Sequence, residues 1–327
     1  MRGTARHLCH IGDLSTAQMD RLLDAAEKLL PASRGEQRLD LADGKILATL
    51  FFEPSTRTRL SFESAMHRLG GDVISVAEPG STSSTKGETL TDTIRMVAAY
   101  SDAIVLRHPR EGAARLAARA SRVPVINGGD GAGQHPTQTL ADLFTIRKAK
   151  GQIAGHTVAI AGDLKYGRTV HSLAQALAMY GVDMIFVAPE SLQVPHDMRE
   201  HLERMGAKIR TATTIEEVIG ETDVLYMTRI QKERFPDLDE YRKVQGVFHV
   251  TNNLLANGKK GIIVMHPLPR VGEIDASVDD TPAAKYFEQA AYGVPVRMAL
   301  LADLLGLDAG TPVGAPDPQR RSSPEVR

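Results

Sequence analysis

The chain has 327 residues, with 39 Lys and Arg against 40 Asp and Glu for a formal charge of −1, and a single cysteine, Cys9. That balance argues against a broad nucleic-acid-binding surface, so any positive field must be local. One cysteine excludes an intrachain disulfide framework and a thiolate metal cluster, which fits a reducing cytoplasm. No apolar run reaches the ~18 residues needed to cross a bilayer and no apolar signal core stands near the start, so neither a membrane span nor a secretory signal is expected.

The length suggests two domains of roughly 150 residues each, and alternating strand-like and helix-spaced segments place the chain in the α/β class. Ser15 with Gln18 is a candidate capping box, and Leu14, Met19, Leu22, Leu23, Ala26, Leu29 and Leu30 recur at helical spacing toward Pro31. A polar connection over 32–45 leads into the buried strand Ile46-Leu47-Ala48-Thr49-Leu50-Phe51-Phe52, which ends abruptly in Glu53-Pro54-Ser55-Thr56-Arg57-Thr58-Arg59. Leu60, Phe62, Ala65, Met66 and Leu69 then mark a helix that stops at Gly70-Gly71. Ser55 or Thr56 can cap this helix. The hydroxyls, the free first-turn amides, the helix dipole and Arg57 make a seat for an anion, with phosphate the best candidate. The plainer reading is a capped helix with solvated arginines; a run of five polar donors after a buried strand weighs against it.

A strand over 73–77 precedes the hydroxyl-rich loop 78–88, which carries Lys86 and has the composition of a mobile loop. A helix over 88–100 leads to a strand over 102–109 that delivers Arg107 at its carboxyl end. The strand at 123–127 is followed by the glycine-rich stretch 128–133, and then Gln134-His135-Pro136-Thr137-Gln138 opens a helix with Pro136 in its first turn. In open α/β sheets ligands gather beyond the carboxyl ends of the strands, so these loops should face one pocket.

A fresh α/β pattern begins after 151–155. Gly162-Asp163-Leu164-Lys165-Tyr166-Gly167-Arg168-Thr169 approaches a P-loop but has arginine where the P-loop has lysine. Arginine is a fork suited to carboxylates, and no apolar strand ends in an aspartate to hold Mg²⁺, so nucleotide binding is disfavoured. Further strands at 184–187, 208–211 and 224–227 follow, the last delivering Arg229 and Gln231. The polar segment 233–241 reads as a loop able to close over a ligand. The strand at 262–265 runs into His266-Pro267-Leu268-Pro269-Arg270, whose prolines leave carbonyls outside any ladder. A last helix is expected over 295–305, and the Pro- and Gly-rich residues beyond Asp308 read as a disordered tail.

Strand ends in both halves thus project Arg57, Arg107, Arg168, Arg229 and His135, which calls for two anionic ligands meeting in a cleft. No His, Cys, Asp or Glu spacing has metal-ligand character, and no G-x-S-x-G elbow is present.

In order along the chain, the 52–59 segment, Lys86-Gly87-Glu88-Thr89, Arg107-His108-Pro109, His135-Pro136-Thr137-Gln138, the 162–172 segment, Thr228-Arg229-Ile230-Gln231-Lys232-Glu233-Arg234 and the 266–270 segment closely resemble the catalytic chains of the aspartate carbamoyltransferase family, over about residues 10–305. The resemblance implies two doubly wound parallel-sheet domains joined by helices, with an active site in the cleft between them. It implies a carbamoyl-phosphate domain at 1–150, an aspartate domain at 151–292, a helix over about 293–307 packing back on the first, and a tail at 308–327. The implied reaction moves the carbamoyl group of carbamoyl phosphate to the α-amino group of L-aspartate, the committed step of pyrimidine biosynthesis, in a cytoplasmic homotrimer with no cofactor.

Carried over by position, Ser55, Thr56, Arg57 and Thr58 would hold the phosphate with help from Arg107. Thr58, Arg107 and His135 would face the carbamoyl oxygen. Gln138 and the carbonyls of Pro267 and Leu268 would receive the carbamoyl NH₂, and Arg168, Arg229 and Gln231 the aspartate carboxylates. Lys86 would enter from a neighbouring chain with a hydroxyl of the 81–85 stretch, Ser83 by preference and Thr82 as its rival. The departing phosphate would take the amine's proton. A regulatory chain or a dihydroorotase is a possible further partner. The related ornithine carbamoyltransferases have a cysteine where this chain has Pro267 and lack the pairing of Arg229 with Gln231. Every motif position is filled, which argues against an inactive scaffolding relative.

Overall fold

The computed structural model describes residues 6–76, 87–230 and 237–308. In its first half α1 (Thr16–Lys28) and the single turn α2 (Leu30–Ser33) precede β1 (Ile46–Phe51), α3 (Thr56–Arg68), β2 (Asp72–Val76), α4 (Leu90–Tyr100), β3 (Ala103–His108), α5 (Ala113–Ala120), β4 (Val125–Asp130) and α6 (Pro136–Lys150). The second half runs β5 (Thr157–Ala161), α7 (Arg168–Met179), β6 (Asp183–Val187), α8 (His196–Arg204), β7 (Ile209–Ala212), β8 (Val224–Met227), α9 (Leu238–Val244), α10 (Asn252–Ala256), β9 (Ile263–Met265) and α11 (Tyr286–Leu305).

Among the described residues the strands form a four-stranded sheet in the order β2-β1-β3-β4 and a five-stranded sheet in the order β7-β6-β5-β8-β9. Every ladder between these strands is parallel. Parallel sheets with helices on both faces need strands that are apolar throughout, which is why β1, β3, β5 and β8 are near-continuous buried runs. β1 and β5 lie inside their sheets, each beside the point where strand order reverses, and the loops that follow them open onto the crevice at the carboxyl ends.

Ser15 caps α1 with both bonds of the capping box: its Oγ accepts from the Gln18 amide at 3.3 Å and Gln18 Oε1 accepts from the Ser15 amide at 2.9 Å. α1 ends at Lys28, close to Pro31 as expected, and Pro31 itself sits in the first turn of α2. Part of the glycine-rich stretch after residue 127 is strand, because β4 continues to Asp130. The expected loop at 233–241 is corrected as well. Residues 231–236 lie outside the described residues, and from Leu238 the chain is helix, capped by the Asp237 side chain on the Asp239 amide. α11 begins nine residues before the expected start, with Pro295 buried in its interior. It packs against α1, α3 and α6, while α6 also meets α7. The 309–327 stretch of the expected tail lies outside the described residues. No helix among the described residues is long and apolar enough to cross a membrane.

Candidate active site

The carboxyl ends of strands from both sheets open onto one cleft of about 710 Å³. Of the side chains singled out in the sequence, Ser55, Thr56, Arg57, Thr58, Arg107, His135, Gln138, Arg168, Arg229, Pro267 and Leu268 all line it. Ser83, Lys86 and Gln231 lie outside the described residues.

The anion seat forms where β1 ends and α3 begins. Ser55 holds the N-cap position in extended backbone, yet its side chain makes no capping bond, contrary to the expectation that a hydroxyl there would cap the helix. Ser55, Thr56, Arg57 and Thr58 all line the cleft at this helix start. Arg107 arrives beside it because Phe51 and Arg107 are register partners across the β1–β3 ladder.

Arg168 starts α7 and reaches across the cleft. Its Nη1 donates to Glu53 Oε2 at 3.0 Å and to the Gly131 carbonyl at 2.8 Å. Arg107 Nη2 lies 3.1 Å from the same Glu53 oxygen, and its Nη1 donates to the Gly128 carbonyl at 3.2 Å. Both guanidiniums pass over Gly129, where a Cβ would stand 3.1 Å from Arg107 Nη1 and 3.4 Å from Arg168 Cζ, at a φ of +116°. Glycine is thus required there by both close approach and backbone. Gly162 is tighter still: a Cβ would stand 2.2 Å from the Thr228 carbonyl oxygen, the residue before Arg229.

The cleft is electropositive. Burial and the facing charge of Arg229 pull the Arg57 guanidinium below its ordinary pKa. Burial, then Arg168, Arg107 and Arg297, hold the His135 imidazole well below the usual histidine value, so it is neutral at pH 7. His135 Nδ1 is buried without a hydrogen-bond partner among the described residues. Fixed donors around the cleft suit the stabilisation of developing negative charge.

On the far wall Leu268 takes a left-handed φ of 55°. Its amide donates to His266 Nδ1 at 2.8 Å, so the proton of that ring is on Nε2, 2.6 Å from Glu273 Oε1. Burial lowers the His266 pKa, in keeping with a neutral ring. The His266 amide in turn donates to Gln289 Oε1 at 2.9 Å. This wall is therefore a strained turn held by hydrogen bonds, with Pro267 and Leu268 lining the cleft.

Residues 6–148 match the aspartate/ornithine carbamoyltransferase carbamoyl-P binding domain, and residues 154–304 match the Asp/Orn binding domain of the same family. This chain belongs to the aspartate/ornithine carbamoyltransferase family. The aspartate carbamoyltransferase catalytic subunit of Archaeoglobus fulgidus is 57% identical over 300 residues, covering 92% of this chain and 99% of that one. The catalytic subunit of M. jannaschii aspartate transcarbamoylase superposes with a TM-score of 0.85 at 52% identity, covering 94% of this chain and 100% of that chain. Aspartate transcarbamoylase from Trypanosoma cruzi, solved in complex with N-(phosphonacetyl)-L-aspartic acid, superposes at 0.84 with 40% identity, covering 91% of this chain and 94% of that one.

Four cleft features of this carbamoyltransferase were not assigned from sequence. Glu53 bridges Arg107 and Arg168, and an acid alone among hydroxyls and guanidiniums was a usable signal. Arg297 lines the cleft from α11, fully buried, with its guanidinium 5.1 Å from the centre of the Phe62 ring. Gln289 shares that helix, and Asp142 lies fully buried behind Gln138 on α6. Nothing in the spacing of the last three marks them out. Among the described residues no group of His, Cys, Asp and Glu is arranged to hold a metal ion.

Proposed function

We propose that this chain transfers the carbamoyl group of carbamoyl phosphate to the α-amino group of L-aspartate, giving N-carbamoyl-L-aspartate and phosphate, in pyrimidine biosynthesis. The observation that carries the reading is that Arg57, Arg107, Arg168 and Arg229, delivered by elements of both halves, line one cleft. Two anions side by side match that distribution of charge. The ligand of the T. cruzi structure, which joins a phosphonate to two carboxylates, has the same charge pattern.

In this proposal Ser55, Thr56, Arg57 and Thr58 seat the phosphate, while Arg168, Arg229 and Gln231 hold the two carboxylates of aspartate. The amine nitrogen then attacks the carbamoyl carbon, and negative charge grows on its oxygen. Thr58, Arg107 and neutral His135 donate to that oxygen. Gln138 and the carbonyls of Pro267 and Leu268 accept from the carbamoyl NH₂. The C–O bond to phosphate breaks, and phosphate leaves with the proton lost by the amine. Positioning two polyanions removes a large entropic part of the barrier, on the order of 7 kcal/mol or more when the reacting atoms are aligned. Ornithine would bring a cationic side chain against Arg229 and Arg168.

The division at residue 150, with α11 belonging to the first domain, is likewise our reading, supported by the packing of α11 on α1, α3 and α6. We also propose a cytoplasmic homotrimer in which Lys86 and Ser83 enter a neighbour's cleft, open to association with a regulatory chain or a dihydroorotase. The mostly exposed edge strand β2 and the exposed side chains of Leu60, Ile74, Met96 and Tyr100 leave apolar surface on the first half that another copy could bury. The test of function is phosphate release by the purified protein given carbamoyl phosphate and either aspartate or ornithine. Turnover with aspartate is expected, and activity with ornithine alone, or with neither, overturns the reading.

A further inference from the structure

Asp142 is fully buried one turn beyond Gln138 on α6, and no step of the proposed reaction uses it. Three neutral donors from three elements converge on it. Gln138 Nε2 reaches Oδ1 at 2.8 Å, Gln289 Nε2 reaches the same oxygen at 2.6 Å, and the Tyr226 hydroxyl reaches Oδ2 at 2.9 Å. Burial of a carboxylate is costly unless its lone pairs are filled, and here three neutral donors reach it.

An ionised carboxylate only accepts hydrogen bonds, so each glutamine must present its NH₂ to Asp142. For Gln138, which lines the cleft, that turns the carboxamide oxygen away from Asp142. For Gln289 it leaves the oxygen to accept from the His266 amide at 2.9 Å, directly before Pro267. The Leu268 amide is in turn tied to the ring of His266. A single buried oxygen thus orients both parts of the wall that the reading above assigns to the carbamoyl NH₂, the Gln138 side chain and the Pro267–Leu268 carbonyls.

We propose that Asp142 is a positioning residue that gives the enzyme its preference for a carbamoyl over an acetyl group, by fixing the polarity of Gln138 and Gln289 so that only oxygens face the NH₂. The inference rests on the assignment of Gln138, Pro267 and Leu268 as NH₂ acceptors. Acetyl phosphate replaces that NH₂ by a methyl group at nearly the same size, so it reports on this wall alone. A site built to bond an N–H rejects an analogue that lacks it more strongly than an apolar pocket does.

The test is the ratio of the inhibition constant of acetyl phosphate to the KM of carbamoyl phosphate, measured for the full-length protein and for Asp142→Leu, Asp142→Asn, Gln138→Leu and the double variant Asp142→Leu/Gln138→Leu. Asp142→Leu should lower the ratio about 10-fold or more, close to the level of Gln138→Leu, with little further loss in the double variant. Asp142→Asn keeps an acceptor at the Oδ1 position and should restore most of the preference, while inorganic phosphate binds all variants alike. If Asp142→Leu does not fold, Gln289→Leu cuts the link to His266 without altering α6 and should lower the ratio in the same direction. A ratio unchanged in Asp142→Leu, or in Gln289→Leu where that variant replaces it, while Gln138→Leu lowers it, overturns the role of Asp142 and leaves the site reading standing. A ratio unchanged in Gln138→Leu itself overturns both.

Discussion

The Glu53 carboxylate lies 3.0 Å from the Arg168 guanidinium, with Arg107 on the same oxygen at 3.1 Å, so one acid ties the start of α3 to the start of α7 across the cleft. Charge-assisted bonds of this kind contribute about 1.5–3 kcal/mol each when partly buried. Glu53→Gln keeps the shape but weakens the hold on Arg168, and should lower kcat/KM for aspartate roughly 10- to 100-fold at that energy. Phosphate binding at the α3 seat should change much less. Steady-state kinetics with aspartate varied, alongside phosphate titration, measures both.

In the proposed reaction Arg57 stands where charge accumulates on the departing phosphate. Arg57→Ala should therefore cut kcat by about 10²–10³-fold, the loss typical of removing one preorganised charge-stabilising donor. The aspartate KM should rise far less. Near-normal turnover in this variant would remove the α3 seat from the chemistry.

Gly162 separates the end of β5 from the end of β8 by less than a methyl group allows, with a Cβ placed 2.2 Å from the Thr228 carbonyl and a φ of +125°. Gly162→Ala must push Thr228 and Arg229 outward and strain the backbone, costing more than about 1 kcal/mol of stability. Its kinetic mark should be a raised aspartate KM with carbamoyl phosphate binding retained. Thermal melting and steady-state kinetics read the two effects separately.

Two buried groups give opposite pH signatures. His135 has a folded pKa well below 6.5, so as pH falls below about 6.5 the unfolded chain takes up a proton that the folded chain refuses. Its contribution to stability is present above that pH and lost on acidification toward the folded value. Asp142 is pushed up by burial from 3.8 to about 6, so its contribution is full below about pH 4 and lost as pH rises through about 6. Urea melts should show wild type losing stability relative to Asp142→Asn between about pH 4 and 6, by on the order of 3 kcal/mol, and a level difference above. A flat difference across that range would place the Asp142 pKa near its ordinary value.

The β1–α3 unit was legible because its chemistry is local: an unbroken apolar strand, then a run of donors, then an amphipathic helix. Arg107 and Arg229 could be placed by the same logic, since a residue at the carboxyl end of a buried parallel strand faces the crevice whatever the tertiary details. Glu53 was visible but its task was not, because Arg168 lies 115 positions away and only packing brings them together. Asp142 was hidden for another reason. The first turns of α6 are buried nearly all round, so its polar residues do not mark an outward face and a carboxylate there looks like an interruption. In α11 the proline at 295 reads as a helix start, although the nine residues before it are helical and carry Gln289. The missing assignments are thus those that depend on which helix packs behind the cleft, information that no window of sequence contains.

In the proposed function two anions are gripped side by side, one by each half of the chain. Calorimetric titration of the full-length protein with N-(phosphonacetyl)-L-aspartic acid tests it most directly. We expect one equivalent bound per chain and a loss of affinity of at least about 100-fold for either Arg57→Ala or Arg229→Ala, as for a charged partner removed from a buried ion pair. Absence of binding, or affinity untouched in either variant, would rule out that grip.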